Sequence, residues 1–171
     1  MADKLLISVI MAAYNSERFI GEAIASVIHQ TYENWELIIV DDCSTDNTAT
    51  EIKKYTDKRI IYLKNDENKG AAYSRNRAIN AANGEFLAIL DADDYALPLR
   101  FATQVEFLNA HAGIDAAGSF VQEINEAGKL IKHGKLPINP QEIACSTFFV
   151  CSIVHSSAML RRDFFVRNNL F

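Results

Sequence analysis

The sequence contains little cysteine: Cys43, Cys145 and Cys151 are the only thiols among its 171 residues. No two of them form a CxxC pair, which excludes a zinc ribbon, and an odd number argues against a disulfide framework. Unpaired cysteines of this kind are typical of a reducing compartment. We therefore expect the protein to reside in the cytoplasm, including the inner face of the membrane.

Glycine and proline are also scarce, at 7 and 3 residues, which excludes a collagen-like or low-complexity chain. No apolar run approaches the roughly 18 residues that a membrane-spanning helix needs. The apolar segment Leu5–Ala13 is short for the core of a signal peptide and has Asp3 in its flank, so we interpret it as a buried first strand.

Basic residues do not dominate: 17 Lys and Arg stand against 22 Asp and Glu, for a formal net charge of -5. This acidic balance argues against nucleic acid or an anionic membrane surface as the main partner. The length predicts a single domain over residues 1–171. A chain of this size buries roughly 70% of its unfolded surface, which is enough for a core without disulfides.

The sequence does contain a regular alternation of short apolar strands and helices before Pro98. The predicted strands are Leu5–Met11, Glu36–Val40, Arg59–Leu63 and Glu85–Leu90, and the predicted helices are Ile20–Gln30, Thr48–Tyr55 and Ala71–Ala82. Such alternation predicts an α/β fold in which a mostly parallel sheet is flanked by helices on both faces.

Beyond Pro98 the pattern predicts a mixed second half. The predicted elements are a helix to His111, strands over Ile114–Asn125 and Lys129–His133, a helix over Gln141–Phe149, a strand over Ser152–Leu160 and a final helical turn. His155 falls on that last apolar strand, where a position in the core is the first interpretation and one facing a ligand is the second.

Polar residues follow three of the predicted strands at the point where each ends. These segments are Ala12-Ala13-Tyr14-Asn15, Asp41-Asp42-Cys43-Ser44 and Asp91-Ala92-Asp93-Asp94. Open parallel sheets bind ligands outside the carboxyl ends of their strands, so we expect the three turns to meet around one ligand. The carboxylates gathered there would repel one another unless a cation, a ligand or water compensates them.

The common phosphate-binding loops are absent, since neither G-x-G-x-x-G nor G-x-x-x-x-G-K-[ST] occurs. A phosphate-bearing ligand would then be anchored through a divalent cation held by one or two carboxylates. Asp91 and Asp93 share one side if their segment is extended, so one could hold the ion and the other a hydroxyl. Taken singly, a D-x-D tripeptide can be a solvated loop, and Asp41-Asp42 can end a strand and cap a helix.

The sequence contains, in this order, the segments SVIMAAYN, HQTYENWELIIVDDCSTD, NKGAAYSRNRAI and NGEFLAILDADD. Together these segments resemble family 2 glycosyltransferases of the GT-A fold. The resemblance runs from about Leu6 to Arg100 and continues more loosely through SSAMLRRDFF. It implies a nucleotide-binding half over about residues 1–100 and the start of an acceptor-side half over about residues 101–171.

The resemblance also implies a role for each site residue. The implied donor-binding residues are Ala12, Ala13, Tyr14, Asp42, Gly70, Arg75, Asp91 and Ala92, and the implied ligands of a Mg or Mn ion are Asp93 and Asp91. Tyr14 would pack on the base, and Asp42, an acceptor when ionised, would bind the N3–H of uracil. Arg75 would approach the base or the diphosphate, Asp91 would hold ribose or sugar hydroxyls, and Gly70 would let the backbone pass close to the nucleotide.

The activity that the resemblance implies is metal-assisted transfer of a sugar, with inversion, from a nucleotide donor such as a UDP-sugar. The acceptor would be a hydroxyl of a glycan, a lipid-linked glycan or a protein. The general base of the family is an acidic residue downstream of a segment like Arg161–Phe165. None of the remaining acids lies there (Glu123, Glu126, Glu142 and Asp163), so we expect a C-terminally incomplete chain that binds donor but lacks the base.

Three other functions remain as alternatives at this point. A sugar-phosphate nucleotidyltransferase shares the fold class and the metal, but usually carries a Gly-rich phosphate loop near its first strand. A signalling receiver domain has its acids after the first strand, where this sequence has Ala12-Ala13-Tyr14-Asn15. A non-catalytic domain that binds a nucleotide or a carbohydrate is the third.

Overall fold

A computed structural model of the chain describes residues 5–134, 136–147 and 152–168. The strands are β1 (Ile7–Ala13), β2 (Trp35–Asp41), β3 (Ile60–Lys64), β4 (Phe86–Ile89), β5 (Ala116–Ala117), β6 (Gln122–Ile124), β7 (Leu130–His133) and β8 (Met159–Arg161). The α-helices are α1 (Ile20–Ile28), α2 (Thr48–Ile52), α3 (Ala71–Ala81), α4 (Arg100–Ala110), α5 (Pro140–Thr147) and α6 (Arg162–Asn168), and a 3-10 turn spans His155–Ser157.

The main sheet has six strands in the order β3-β2-β1-β4-β8-β5. β3, β2, β1 and β4 are parallel, whereas β8 is antiparallel to β4 and β5 is antiparallel to β8. β6 and β7 form a separate antiparallel hairpin. The parallel first part and the mixed second part that the sequence predicts are therefore both present.

Helices cover both faces of the parallel strands, because successive side chains of a strand point to opposite faces. In β1, Val9 and Met11 belong to a core cluster shared with α1 and α4, while Ile10 belongs to a second cluster shared with α3. Burial on both faces explains why the central strands are almost continuously apolar in sequence.

The first strand extends past the predicted end at Met11. Ala12 and Ala13 pair with Val40 and Asp41 of β2, so both alanines belong to the strand. The turn at the end of β1 therefore starts at Tyr14, directly beyond the sheet edge.

Two strand predictions in the second half are wrong. The predicted strand Ile114–Asn125 is divided between β5 of the main sheet and β6 of the hairpin, with Gly118 between them. The predicted strand Ser152–Leu160 is reduced to β8, because the segment before it forms the 3-10 turn. In that turn Ser157 Oγ donates to Val154 O over 2.8 Å, a local bond that competes with strand pairing.

His155 does not occupy the core, because it is exposed within the 3-10 turn. The predicted helix Gln141–Phe149 corresponds to α5, and its last two predicted residues lie outside the described part of the chain. None of the helices in the described ranges has the length and apolar character needed to cross a bilayer.

Candidate functional site

The carboxyl ends of β2, β1 and β4 lie side by side at one edge of the main sheet. Tyr14 directly follows β1, Asp42 directly follows β2, and Asp91 comes just after β4. The backbone N–H of Asp42 donates to the carbonyl of Ala13 over 2.8 Å, which ties the first two turns together. The structure thus brings the polar turns to one edge, as the parallel order requires.

A cavity of about 390 Å³ opens at this edge. Its lining contains the predicted residues Ala12, Tyr14, Arg75, Asp91, Ala92 and Asp93, together with Asn15, Ser16 and Phe19. Tyr14 is 49% exposed, so much of its ring is accessible to a planar ligand. In the sequence, Asn15 and Ser16 indicate only a helix start, and nothing distinguishes Phe19 from a core aromatic residue.

Asp42, a predicted site residue, is not among the described residues that line the cavity and is nearly buried, with 2% of its surface exposed. Its Oδ1 accepts bonds from Asn65 Nδ2 at 2.6 Å and from the Lys69 backbone N–H at 3.0 Å. Its Oδ2 accepts the Gly70 backbone N–H at 2.7 Å. The Asp42 carboxylate therefore organises the segment between β3 and α3, a role that the sequence did not indicate.

These contacts determine the charge state of Asp42. Burial raises its pKa, but hydrogen bonds from the Lys69 backbone, the Asn65 side chain, the Gly70 backbone and the Ser74 hydroxyl lower it, and the net shift is downward. Asp42 is consequently ionised at neutral pH and acts only as an acceptor.

Gly70 begins the segment that leads into α3 with a φ of 86°, a left-handed conformation that favours glycine. A Cβ atom placed there would meet nothing within 4 Å among the described residues. The backbone conformation therefore requires this glycine, whereas the close approach to a ligand predicted from the sequence remains a prediction.

Arg75, on α3, forms an ion pair with Asp91 in the cavity wall, with 2.6 Å between Nη2 and Oδ1. Its Nε is buried and has no hydrogen-bond partner in the described part of the chain. Buried donors are nearly always paired in folded proteins, so this N–H is a candidate for contact with an anionic ligand.

The segment after Asp91 is a turn and is not extended. The Asp94 backbone N–H donates to the Asp91 carbonyl over 3.1 Å, which closes the turn. The expectation that Asp91 and Asp93 share a side by strand alternation is therefore wrong in its premise, although both residues line the cavity. The turn brings Asp94 close to its neighbours as well.

Ser156 contacts this turn from the 3-10 turn before β8. Its Oγ lies 3.3 Å from Asp91 Oδ2 and also donates to Asp94 Oδ2. Desolvation raises the pKa of Asp94, the Ser156 hydrogen bond opposes this rise, and the charges of Asp93 and Asp91 add to it, while Arg100 opposes it. The net rise of the Asp94 pKa is thus due first to desolvation, and the neighbouring carboxylates at the end of β4 add to it.

A divalent cation fits this site if the ligand supplies most of its oxygens. Among the described residues, no group of three or more His, Cys, Asp and Glu side chains could hold a metal ion alone. Mg²⁺ is commonly bound by one or two carboxylates, with phosphate oxygens and water completing the shell. Asp93 is exposed in the cavity lining, and Asp91, two positions before it, also lines the cavity. The site therefore offers the one or two carboxylates that such an ion needs.

The Tyr14 turn is held in place by the turn after β2. Asn15 has a φ of 48°, and its Oδ1 accepts the Thr45 backbone N–H over 2.9 Å. The Ser16 backbone N–H donates to Thr48 Oγ1 over 2.7 Å, and the Glu17 backbone N–H donates to Asp46 Oδ2 over 3.1 Å. The loop after β2 thus supports the turn after β1, which lines the cavity with Tyr14, Asn15 and Ser16.

A family model described as "Glycosyl transferase family 2" matches residues 8–168. An uncharacterized glycosyltransferase of Methanocaldococcus jannaschii is 44% identical over 137 residues, which cover 78% of this chain and 47% of that protein. The Escherichia coli UDP-Glc:alpha-D-GlcNAc-diphosphoundecaprenol beta-1,3-glucosyltransferase is 43% identical over 106 residues, covering 62% of this chain and 42% of that protein. The chain thus spans somewhat less than half the length of these two relatives.

Among solved structures, S. aureus TarS 1-349 in complex with UDP-GlcNAc superimposes with a TM-score of 0.78 at 25% identity. The match covers 98% of this chain and 48% of that chain. This likeness confirms the GT-A fold that the family resemblance of the sequence implies.

Proposed function

The chain belongs to glycosyl transferase family 2, and from that premise we propose that the cavity at the carboxyl edge of its sheet binds a nucleoside-diphosphate sugar. The observation that carries the proposal is that an aromatic ring, a guanidinium group and two carboxylates line this one cavity: Tyr14, Arg75, Asp91 and Asp93. A nucleotide sugar presents a planar base, an anionic diphosphate and several hydroxyls, and these groups complement such a lining.

The proposed donor is a UDP-sugar. The E. coli relative is named for UDP-glucose, and the TarS structure holds UDP-GlcNAc. Tyr14 would pack on the uracil ring, with Ala12 beside it in the cavity lining. Ala13, which is 1% exposed and belongs to the core, would support the turn from below. Asp42 Oδ2 accepts one bond from Gly70, and a carboxylate oxygen can accept two, so its second lone pair would receive the uracil N3–H.

Arg75 would neutralise the diphosphate through its guanidinium group, whose Nε–H has no partner among the described residues, while keeping its contact with Asp91. Asp91, oriented by that contact, would accept hydrogen bonds from ribose or sugar hydroxyls, with the small Ala92 leaving room beside it. Asp93, with Asp91 nearby, would hold a Mg or Mn ion. The ion would act as a Lewis acid that stabilises the charge of the departing diphosphate.

The proposed reaction of the whole protein is transfer of the sugar, with inversion, to a hydroxyl of an acceptor. The E. coli relative is named for a diphosphoundecaprenol-linked acceptor, which supports a lipid-linked glycan in polysaccharide synthesis. Such an acceptor would place the protein in the cytoplasm at the inner face of the membrane. The proposal concerns the donor site and assigns the general base of that reaction to no residue of this chain.

Calorimetric titration with UDP, with and without Mn²⁺, tests the donor site. We expect UDP to bind, Mn²⁺ to increase its affinity, and Asp93→Ala to remove that increase. Asp163→Ala is the matched control, because Asp163 is an exposed aspartate on α6, outside the cavity lining. Equal affinity of wild type and Asp93→Ala in the presence of Mn²⁺ would refute the metal assignment.

A further inference from the structure

Ser156 contacts the carboxylates of Asp91 and Asp94, although it lies 65 residues after Asp91 in the sequence. The Asp91 backbone N–H donates to its Oγ over 3.3 Å, and the same Oγ lies 3.3 Å from Asp91 Oδ2. Its third contact is the hydrogen bond to Asp94 Oδ2. Ser156 is only 7% exposed, so water does not readily replace these contacts.

The chemistry of a hydroxyl explains why this position matters. Ser156 Oγ carries one proton and two lone pairs, so it can accept the Asp91 N–H and donate to one carboxylate at a time. Shared between Asp91 and Asp94, that single proton reduces the repulsion of two like charges that would otherwise turn apart. Asp91 is thereby held at two points: Arg75 binds its Oδ1, and Ser156 Oγ accepts its backbone N–H while the Ser156 proton goes to Asp94 Oδ2 by the shorter contact.

We propose that Ser156 is a positioning residue of the donor site. It fixes the orientation of Asp91 and the shape of the turn that presents Asp93, so that the turn receives a cation and a diphosphate without rearrangement. This inference rests on the proposed function, because it concerns the same bound nucleotide. Residues that orient the ligands of a metal typically contribute about 10–100-fold to its affinity.

Ser157 is a closely matched control for Ser156. It lies in the same 3-10 turn and is 3% exposed. Its Oγ donates to the Val154 carbonyl over 2.8 Å and accepts the Ser119 backbone N–H over 3.2 Å. It therefore serves the fold of the segment through backbone contacts and makes no bond to the carboxylates of the turn.

The experiment measures UDP affinity by calorimetry with Mn²⁺ and with EDTA, together with Tm, for wild type and four variants. Ser156→Ala and Ser156→Cys remove the hydroxyl, and Cys keeps the size of the side chain with only a weak donor. Ser156→Thr retains the hydroxyl, and Ser157→Ala is the control. We expect Ala and Cys at position 156 to lower the affinity measured with Mn²⁺ by about tenfold or more, with a much smaller change in EDTA.

Ser156→Thr should retain most of the affinity measured with Mn²⁺, and Ser157→Ala should lower Tm without a selective loss of that affinity. The proposal is overturned if Ser156→Ala and Ser156→Cys bind UDP with Mn²⁺ within about twofold of wild type, a difference of roughly 0.4 kcal/mol. It is also overturned if Ser157→Ala causes the same selective loss. Failure of the wild-type protein to bind UDP would instead refute the proposed function itself.

Discussion

Arg75 and Asp91 form an ion pair of 2.6 Å in the wall of the cavity, and their side chains are only 25% and 29% exposed. The pair joins α3 to the turn after β4, so a helix on one face of the sheet and the end of a central strand are tied at the point where the cavity opens. One nitrogen of the guanidinium group is thus committed to the protein, while the buried Nε has no described partner.

Arg75→Met should weaken UDP binding by about 10–100-fold, because charge-assisted hydrogen bonds contribute roughly 1.5–3 kcal/mol each. Arg75→Lys should recover only part of the loss, since an ammonium group cannot contact Asp91 and the diphosphate through a planar fork. Calorimetry provides the measurement. Lys58→Met removes one positive charge before the amino end of β3, at the opposite edge of the sheet, and should leave UDP affinity unchanged.

Asp42→Asn should destabilise the protein by about 3 kcal/mol at pH 7. The carboxylate of Asp42 accepts hydrogen bonds on both oxygens, and the amide N–H₂ of asparagine would face some of these donors without being able to accept from them. Urea unfolding measures the loss. The exposed Asp163→Asn is the control and should change the free energy of unfolding by less than about 0.5 kcal/mol.

The same variant should also change how stability depends on pH. The pKa of Asp42 is lower in the folded than in the unfolded protein, so its ionised form stabilises the fold above the unfolded value. That contribution is lost as the pH falls below about 4, through the folded pKa. Unfolding free energies measured from pH 7 to pH 2 should therefore fall less steeply for Asp42→Asn, and parallel curves would contradict the proposed charge state.

Gly70→Ala should cost about 1–2 kcal/mol of stability, because an L-residue is strained in the left-handed region. Gly128→Ala, at a φ of 72° in the hairpin turn, should cost a similar amount, whereas Gly113→Ala, which meets no atom within 4 Å, should cost little. Chemical denaturation tests these three values. Only Gly70→Ala should also weaken UDP binding, since its backbone N–H contacts Asp42.

Tyr62→Phe should cost about 1–3 kcal/mol, because Tyr62 donates to Oδ2 of the fully buried Asp41 over 2.9 Å. Burial, and next the Asp41 carboxylate, raise the pKa of Tyr62 to about 12. A raised folded pKa means that stability falls as the pH rises from the unfolded value, about 10, through 12. Denaturation at pH 8 and pH 11 should show this loss in wild type and a smaller one in Tyr62→Phe, while Tyr55→Phe should retain it.

The central strands and the meeting of the polar turns could be predicted because their signals are local. β2 and β4 are apolar on both faces, and parallel strands place their carboxyl ends together. The burial of Asp42 could not be predicted, because its hydrogen-bond partners come from the distant segment before α3. No local sequence pattern distinguishes a buried aspartate of this kind from a solvent-exposed one. The turn at Asp91–Asp94 was missed for a similar reason, since alternation along a strand says nothing once the strand has ended.

Gly84 is a further residue whose role in the structure could not be predicted from the sequence. Glycine is favoured just past the end of a helix, and α3, which the sequence predicts to end at Ala82, ends at Ala81, three positions before Gly84. The glycine is needed for a different reason, because a Cβ there would lie 2.6 Å from the Ser8 nitrogen and 2.7 Å from the Leu6 carbonyl oxygen of the incoming first strand. Contacts of this kind depend on which strands become neighbours, which no local pattern encodes.

Ser156 lies 65 residues after Asp91 in the sequence, and this separation determines the order in which the cavity wall can form. The segments that form β1, β2 and β4 all precede Ser156 in the chain and are therefore translated first. Asp91 acquires its second anchor only after another 65 residues have been translated. A nascent chain arrested before that point would carry the parallel strands but an unfinished binding edge.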